Sequence, residues 1–423
     1  MRHLWGVLVR HRDYRLLLSA GLVSMTGDWI LNIGLVYGVY ALTGSTLASG
    51  TVLFAAILPQ VLLGSVAGVF VDRWDRRRTL IGANLLLASC LLPLLAVRDA
   101  GSLWIVFPVV IFSTCVEQFF YPAEQALVPS LVDEDDLITA NAINGQNRNL
   151  ARLVGAAIGG VAAHAGGIAL VAVIDTATFL VAAGLVTLIR TRRTPPPATS
   201  EAPTSLREEW RNGLRLAANE PTLRVIFVVA ALTALGEGIM GTLFAPYVRT
   251  DLHGSGADYG AILSAQAVGG IAAGFVAASI GHRFSARALF GWGAFWFGIV
   301  DLMLFLYPVV NDALWPAFVF IVVVGLPGAV MLAGMTTLLQ TSSTDSHRGR
   351  VFGALGAIQG TTSLLGVVVA GTLGEAVGIM PILALQGAMY VLSGCYVIAV
   401  MPRTAATSLH PGDEPAPDSA HAP

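Results

Sequence analysis

Two acidic residues lie in the middle of otherwise apolar stretches of this sequence, and their type allows proton chemistry. Asp28 stands between Gly27 and Trp29, and Glu237 occupies a similar apolar stretch in the second half of the chain. An ionised side chain at the centre of a bilayer costs at least about 2.5–3.5 kcal/mol, so one that persists there indicates a function. Because apolar surroundings favour the neutral carboxyl, either residue could bind a proton near neutral pH and release it on exposure to the other face. We predict that both are proton or substrate sites, with a structural hydrogen bond between helices as the alternative.

Two further candidates are Glu117 and Arg152. Glu117 precedes a run of aromatic residues, and Arg152 follows Arg148 by four positions, so both arginines share one helix face. We predict a buried coupling pair between Glu117 and Arg152, with an ordinary structural ion pair as the alternative. Asp301 also lies in an apolar stretch, and we expect it near the outer end of its helix, in contact with solvent.

The composition indicates a membrane protein. Of the 423 residues, 55% are hydrophobic and 12% are charged, and the mean hydropathy is +0.72, whereas about 25% of residues are charged in a soluble domain. The net charge of -2 argues against nucleic acid as a partner, and the absence of lysine excludes a phosphate-binding P-loop and Schiff-base chemistry. The three cysteines have no histidine at metal-ligand spacing, and no stretch combines a nucleophile, a base and an orienting group. We therefore expect no metal, no cofactor and no enzymatic activity.

Apolar windows of about 20 residues predict membrane-spanning helices. Twelve windows are found, at approximately 15–40, 47–71, 79–97, 102–123, 143–164, 167–190, 223–247, 258–280, 288–308, 313–340, 351–373 and 378–400. With a cytoplasmic N-terminus, only Arg98 and Arg249 among the 24 basic residues face outward, as the positive-inside rule requires. The sequence thus predicts an all-α, multi-pass protein with both termini in the cytoplasm.

The two halves of the chain resemble each other. Residues 15–30 align with 224–239, which places Asp28 opposite Glu237, and residues 64–77 align with 274–287. Six passes per repeat return the chain to its starting side, so both repeats enter from the same face and form two pseudo-symmetric six-helix bundles with a cavity between them. We predict an N-terminal bundle over 1–190 and a C-terminal bundle over 223–403.

The segments outside the bundles are more polar. Residues 191–222 begin with a proline-rich stretch and continue as "SLREEWRNGLRLAANE", which is typical of an amphipathic helix at the cytoplasmic surface. The tail at 404–423 is rich in Pro, Ala and Asp, and we expect it to be disordered.

A charged motif, "GVFVDRWDRRR" at 68–78, follows the second window. It resembles the signature of the major facilitator superfamily, which has Gly, three residues, Asp-Arg and then a basic cluster; the match is carried by Gly68, Asp72, Arg73, Arg76, Arg77 and Arg78. Asp75 stands where the general pattern has Gly, and the "DR-x-x-RRR" form is similar to the drug-exporting branch that includes macrolide and siderophore effluxers. The stretches "RDYRLLLSAGLVSMTGDWI", "ALVPSLVDEDDLITANAI" and "HRGRVFGAL" resemble that branch as well.

The resemblance implies a function. In such transporters the loop at 68–78 is a cytoplasmic gate, in which the Asp bonds a helix of the other half or a helix N-terminus and the arginines bind nearby carboxylates. The expected function is export of an amphipathic drug, antibiotic or siderophore across the bacterial cytoplasmic membrane by proton antiport, in a monomer whose partners are substrate, protons and lipid. Proton-coupled import or lysolipid flipping by the same fold, and a non-transporting membrane sensor, remain alternatives.

Aromatic residues and glycines complete the expected site. Trp29, Phe119, Phe120 and Trp296 are candidates for lining an apolar, adaptable pocket, although such residues are more often lipid-facing or core. Gly155, Gly159 and Gly160 resemble the glycine-rich antiporter motif, with Ala156 in place of the expected Pro. Close packing of helices through small residues explains the same glycines.

Overall fold

The chain is all-helical over the part that the structure describes. The computed structural model describes residues 7–71, 74–133, 136–190, 215, 220–280, 284–342 and 345–402, and these contain no strand. The predicted linker helix within 191–222, apart from positions 215 and 220–222, and the predicted disordered tail lie outside the described residues. Asp72 and Arg73 of the predicted gate lie outside them as well.

Helices occupy every apolar window of the sequence. Their bounds are α1 Arg12–Thr43, α2 Thr46–Val71, α3 Arg76–Cys90, α4 Val106–Leu127, α5 Leu137–Thr187, α6 Pro221–Thr250, α7 Gly256–Ile280, α8 Ala286–Leu306, α9 Trp315–Val323, α10 Gly325–Thr341, α11 Asp345–Val377 and α12 Ile379–Val400. Short 3₁₀ turns at Leu92–Ala96 and Ala100–Ile105 extend α3 and precede α4. Ten helical stretches in the described part of the chain are long and apolar enough to cross a membrane, which confirms a multi-pass membrane protein.

The helix α5 contains two passes joined by a turn at Gly167, whose φ of 61° and ψ of -156° are not helical. The first arm runs parallel to α1, because Tyr14 donates to the carbonyl of Ala140 and Asn147 donates to that of Leu18. The second arm runs antiparallel to α1. Gly38 packs on Ile168 near its start, whereas Arg190, just after its end, donates its backbone N–H to Asp13. The chain therefore reverses direction at Gly167. Only glycine adopts such backbone angles readily.

The helices form two bundles, α1–α5 and α6–α12, that contact each other mainly through α5 with α7 and α2 with α11. We call the end that carries the α1–α2 connection, Gly167 and the α11–α12 connection the far end, and the end that carries the chain start the near end. At the far end, Gly160 of α5 packs against Gly260 of α7, where a Cβ on Gly160 would lie 2.8 Å from the Cα of Gly260. The two halves are thus in direct backbone contact at the far end.

A polar contact joins the same end of α2 and α11. The carboxylate of Glu375 accepts from the backbone N–H of Thr46 at 2.9 Å, and the hydroxyl of Thr46 donates to the carbonyl of Gly371 at 3.2 Å. Thr46 is the first residue of α2, so Glu375 satisfies a backbone donor that has no partner within its own helix. A carboxylate at this position also interacts favourably with the helix dipole. This contact closes the far end with a carboxylate from one half and a helix start from the other.

Candidate functional site

A first cavity lies within the N-terminal bundle and has a volume of about 380 Å³. It is bordered by α1, α2 and α4, and its ionisable lining residues are Asp28 and Glu117. Polar lining residues include Asn32, Gln60, Ser113, Thr114, Gln118 and Tyr121, and the remainder is mainly aliphatic apart from Trp29. The structure therefore brings Asp28 and Glu117 together at one cavity, as the sequence alone did not specify.

Asp28 is only partly satisfied in this cavity. The hydroxyl of Tyr121 donates to Oδ2 of Asp28 at 3.5 Å, which is a weak contact, and Oδ1 is buried without a hydrogen-bond partner in the described part of the chain. A buried acceptor without a partner is costly, so Asp28 is ready to bind a proton or a donor from a ligand.

A third carboxyl, Asp175 in the second arm of α5, lies directly behind this site. It is fully buried, its Oδ1 accepts from the hydroxyl of Thr178 at 2.9 Å, and both residues press against Gly27 where a larger residue would have its Cβ. Glu117 and Asp175 are close enough to Asp28 to interact with it electrostatically. Three carboxyls therefore lie together in the N-terminal bundle, two at the cavity and one directly behind it.

A second cavity of about 790 Å³ lies mainly in the C-terminal bundle. It is bordered by α2, α6, α10, α11 and α12, and its ionisable carboxyl is Glu237. The hydroxyl of Tyr390 donates to Oε1 of Glu237 at 2.6 Å, and the ring of Tyr390 stacks on Phe297 with 4.3 Å between ring centroids. Glu237 is exposed to this cavity and is held by a tyrosine that packing fixes in place.

Asp301 differs from its expected position. Instead of contacting solvent, it is 1% exposed, and its Oδ2 accepts from the side-chain amide of Gln386 at 3.1 Å. Gln386 is fully buried and contacts the sulfur of Met240 as well. The expectation of a solvated Asp301 is therefore wrong, because α12 supplies a polar partner inside the bundle that sequence position could not reveal.

Arg152 also differs from its predicted arrangement. Among the described residues, it does not pair with Glu117: its guanidinium contacts Oε1 of Gln266 on α7 and lies over the ring of Trp29, 5.2 Å from the centroid. Beside it, the hydroxyl of Ser264 on α7 donates to the carbonyl of Leu153 at 2.8 Å. Arg152 thus links the two bundles, because it lies on the side of α5 that packs against α7 across the interface.

The predicted cavity aromatics are mostly placed elsewhere. Trp29 lines the first cavity, as predicted. Phe120 is a core residue of the N-terminal bundle with 6% exposure, Phe119 stacks on Trp74 at 5.8 Å, and Trp296 is 54% exposed and lines neither cavity. The aromatic residues that do line the cavities, besides Trp29, are Tyr121, Phe352 and Tyr390. The spacing of these aromatic residues in the sequence did not indicate that they line a cavity, because aromatic side chains are found at both lipid-facing and cavity-facing positions.

The basic cluster after α2 binds helix ends. Arg76 donates to the carbonyl of Ala126 near the end of α4 at 2.8 Å, and Arg77 donates to the carbonyl of Thr187 at the end of α5 at 2.6 Å. These partners are carbonyls, not the carboxylates that the resemblance implied, and arginines at such helix ends are favoured by the dipole. Asp75 is the N-cap of α3 and accepts from the backbone N–H of Arg78 at 2.8 Å. Gly68 lies in the last turn of α2.

Two helical bundles with carboxyl-lined cavities and a contact between them at one end define a transporter of the major facilitator superfamily. The family model described as "Transmembrane secretion effector" matches residues 7–420. The chain belongs to this family, which is a family of transporters and not of enzymes.

Similar proteins include two that are named as efflux proteins. The chain is 28% identical over 374 residues to the multidrug efflux pump Tap of Mycobacterium tuberculosis, which covers 86% of this chain and 87% of that protein. It is 22% identical over 386 residues to macrolide efflux protein A of Streptococcus pyogenes, which covers 89% of this chain and 91% of that protein.

Solved structures of related fold support the architecture. A bacterial homologue of the iron transporter ferroportin in an inward-facing state has a TM-score of 0.72 at 15% identity, and covers 92% of this chain and 98% of that one. The structure of the nucleoside transporter NupG has a TM-score of 0.73 at 12% identity, and the match covers 92% of this chain and 100% of that one. At these identities the likeness concerns the fold alone.

Proposed function

We propose that this protein exports amphipathic small molecules across the bacterial cytoplasmic membrane in exchange for protons, by alternating access between its two bundles. The observation that carries this proposal is the pair of carboxyl-lined cavities on one side of the far-end contact, with Asp28 in the first and Glu237 in the second. The names of the similar proteins, a multidrug efflux pump and a macrolide efflux protein, support export.

The proposed orientation follows from the distribution of arginine. The near end carries Arg76, Arg77 and the start of the chain, and the far end carries Arg98 and Arg249. With the near end in the cytoplasm, the positive-inside rule is obeyed and twelve passes leave both termini on the cytoplasmic side. The structure is then closed to the outside, so its cavities are those that receive substrate from the cytoplasm.

The proposed exchange uses the incomplete satisfaction of Asp28. When the site faces outward, a proton on Asp28 or on one of its neighbours removes one negative charge from the clustered carboxyls and lowers the cost of closing around them. When the site faces inward, a bound substrate competes with that proton for the carboxylate. Because all the proposed contacts lie within one chain, a monomer is sufficient.

Proton flux in proteoliposomes tests the proposal. Full-length protein is reconstituted with an internal pH dye, and a permanently charged dye such as ethidium is added, because weak bases carry protons across the bilayer unaided. We expect ethidium-dependent proton movement in the wild type and its loss in Asp28→Asn. Asp312→Asn is the matched control, since Asp312 is exposed in the α8–α9 connection.

The other outcomes are distinct. Flux that survives Asp28→Asn and disappears in Glu237→Gln would move the proton site to the second cavity. Movement of ethidium without movement of protons would support transport and refute proton antiport. No movement of ethidium, macrolides or siderophores in either direction would refute export.

A further inference from the structure

Arg152 lies at the interface between the two bundles without a carboxylate bound to it. Its guanidinium contacts Oε1 of Gln266 on α7 and lies over the ring of Trp29 on α1, 5.2 Å from the centroid. In the described part of the chain, no carboxylate forms an ion pair with Arg152, and its Nε is buried without a hydrogen-bond partner. Because an arginine in a membrane interior normally pairs with a carboxylate or with backbone carbonyls, this arrangement indicates a role in function.

A carboxyl of the other bundle lies within electrostatic range of Arg152. Glu237 of α6 interacts with the guanidinium at a distance beyond that of an ion pair. Glu237 lines the second cavity and is exposed to it, with the hydroxyl of Tyr390 as its donor. Its charge can therefore be neutralised from the cavity, whereas Arg152 lines neither of the two cavities.

The strength of this interaction depends on how the bundles are arranged. Arg152 lies about two helical turns before Gly160, which packs against Gly260 at the far end, and the hydroxyl of Ser264 on α7 donates to the backbone of α5 at 2.8 Å. In the proposed alternating access, opening of the far end separates α5 from α7 and so moves the guanidinium away from the C-terminal bundle. The attraction between Arg152 and an ionised Glu237 therefore favours the closed far end.

We propose that Arg152 couples the charge of Glu237 to the state of the far end: an ionised Glu237 holds the far end closed, and a proton or positive group that neutralises it releases the far end. This inference rests on the proposed alternating access. Cargo shifts an equilibrium only by its different affinity for the two states. Arg152 supplies that difference, because it repels a positive charge at Glu237 only while the bundles are close. When the cargo leaves on the outer side, the restored attraction favours closing.

Distances between spin labels measure this coupling without any ligand. The labels are attached at positions 101 and 310, which lie at the far end of opposite bundles, after replacement of the three native cysteines. The full-length protein is studied in nanodiscs of zwitterionic lipid at alkaline pH. Glu237→Gln removes the charge and keeps the size of the side chain. We expect it to raise the ratio of open to closed molecules about fivefold, the lower end of typical coupling between sites, because Glu237 is exposed to the cavity.

A double-mutant cycle separates this coupling from a structural role of Arg152. Arg152→Gln removes the charge of the guanidinium, and we expect it to open the far end by a similar factor. In that background Glu237→Gln should cause no further change, because its partner charge is already absent. Arg152→Lys keeps the charge and should keep most of the effect of Glu237→Gln. Gln266→Leu is the matched control, since it removes a hydrogen bond of Arg152 without removing the charge, and the effect of Glu237→Gln should persist in it.

Two results would overturn the coupling through Arg152: equal effects of Glu237→Gln with and without the guanidinium, or an unchanged distance distribution in Glu237→Gln. Each variant is accepted only if it elutes as a monodisperse species. Gly160→Val opens the far end by a different route, because its Cβ would lie 2.8 Å from the Cα of Gly260, and it provides the reference for an open distance. If this variant also stays closed, alternating access itself is refuted. If it opens while the Glu237 variant stays closed, the coupling through Arg152 is refuted alone.

Discussion

Removing the carboxylate of Glu375 should shift the protein toward the state that is open at the far end. Glu375 on α11 accepts from the backbone N–H of Thr46 at the start of α2, and this contact exists only while the two bundles touch at that end. A helix-capping contact is worth about 0.5–2 kcal/mol, and a carboxylate beside the helix dipole adds about 0.3–1 kcal/mol at a surface position. Because the side chain of Glu375 is exposed, we take the lower part of this range, about 1 kcal/mol.

This free energy acts directly on the equilibrium between states, since water replaces the contact when the far end opens. A loss of about 1 kcal/mol changes the ratio of the two states by about fivefold. Glu375→Ala should show the full change, and Glu375→Gln, which keeps an acceptor but loses the charge, should show part of it.

The assay is a distance measurement between spin labels on opposite bundles at the far end. Positions 101 and 310 suit labelling because both are exposed, with Val310 at 90%, and the three native cysteines are replaced first. The matched control is Asp258→Ala. Asp258 accepts from the backbone N–H of Ser255 at 2.7 Å, at the same end and beside a helix start, but both residues belong to one bundle.

The expected result is a growing long-distance population in Glu375→Ala and an unchanged distribution in Asp258→Ala. The reasoning is refuted if the Glu375 variants leave the distribution unchanged. An equal shift in the control would also refute it, because general loosening of helix ends would then explain the effect.

Three further predictions use close contacts seen in the structure. Gly160→Val should open the far end in the same labelled protein, because its Cβ would lie 2.8 Å from the Cα of Gly260; retention of the closed distance would contradict this. Gly27→Ala should lower the free energy of unfolding by about 1–3 kcal/mol, since the added methyl overlaps Asp175; an unchanged melting temperature in detergent would show that α5 yields at no cost. Arg77→Ala removes the hydrogen bonds to the end of α5 and should lower the same free energy by about 1 kcal/mol, and a melting temperature equal to that of the wild type would count against a role for Arg77 in holding that end.

The positions of the helices could be predicted from the sequence because the bilayer core imposes a length and a polarity on each pass. The windows at 15–40 and 223–247 fall within the helices Arg12–Thr43 and Pro221–Thr250, and the window at 378–400 begins one residue before the helix Ile379–Val400. The internal resemblance also paired Asp28 with Glu237, and the structure gives each a cavity and a tyrosine donor. Burial of charge is the common reason, since a carboxylate in an apolar window needs a polar environment that the fold must supply.

The faces of the helices could not be predicted in the same way. In a soluble helix the polar stripe marks the outside, but here lipid and protein core are equally apolar, so the pattern carries little information about direction. Phe120 in the core and Trp296 outside both cavities were therefore indistinguishable from Trp29. The partner of Arg152 was missed for a related reason. Spacing along one helix predicts which residues of that helix share a face. It does not predict which residue of another helix they contact, and Gln266 belongs to the other bundle.

The turn at Gly167 has a consequence for how the protein enters the membrane. The two arms of α5 follow each other without a connecting loop, in a helical stretch from Leu137 to Thr187 interrupted at one residue. The membrane-insertion machinery therefore receives the two arms without a hydrophilic loop between them. Because a single residue connects the two arms, we expect them to enter the lipid as a hairpin.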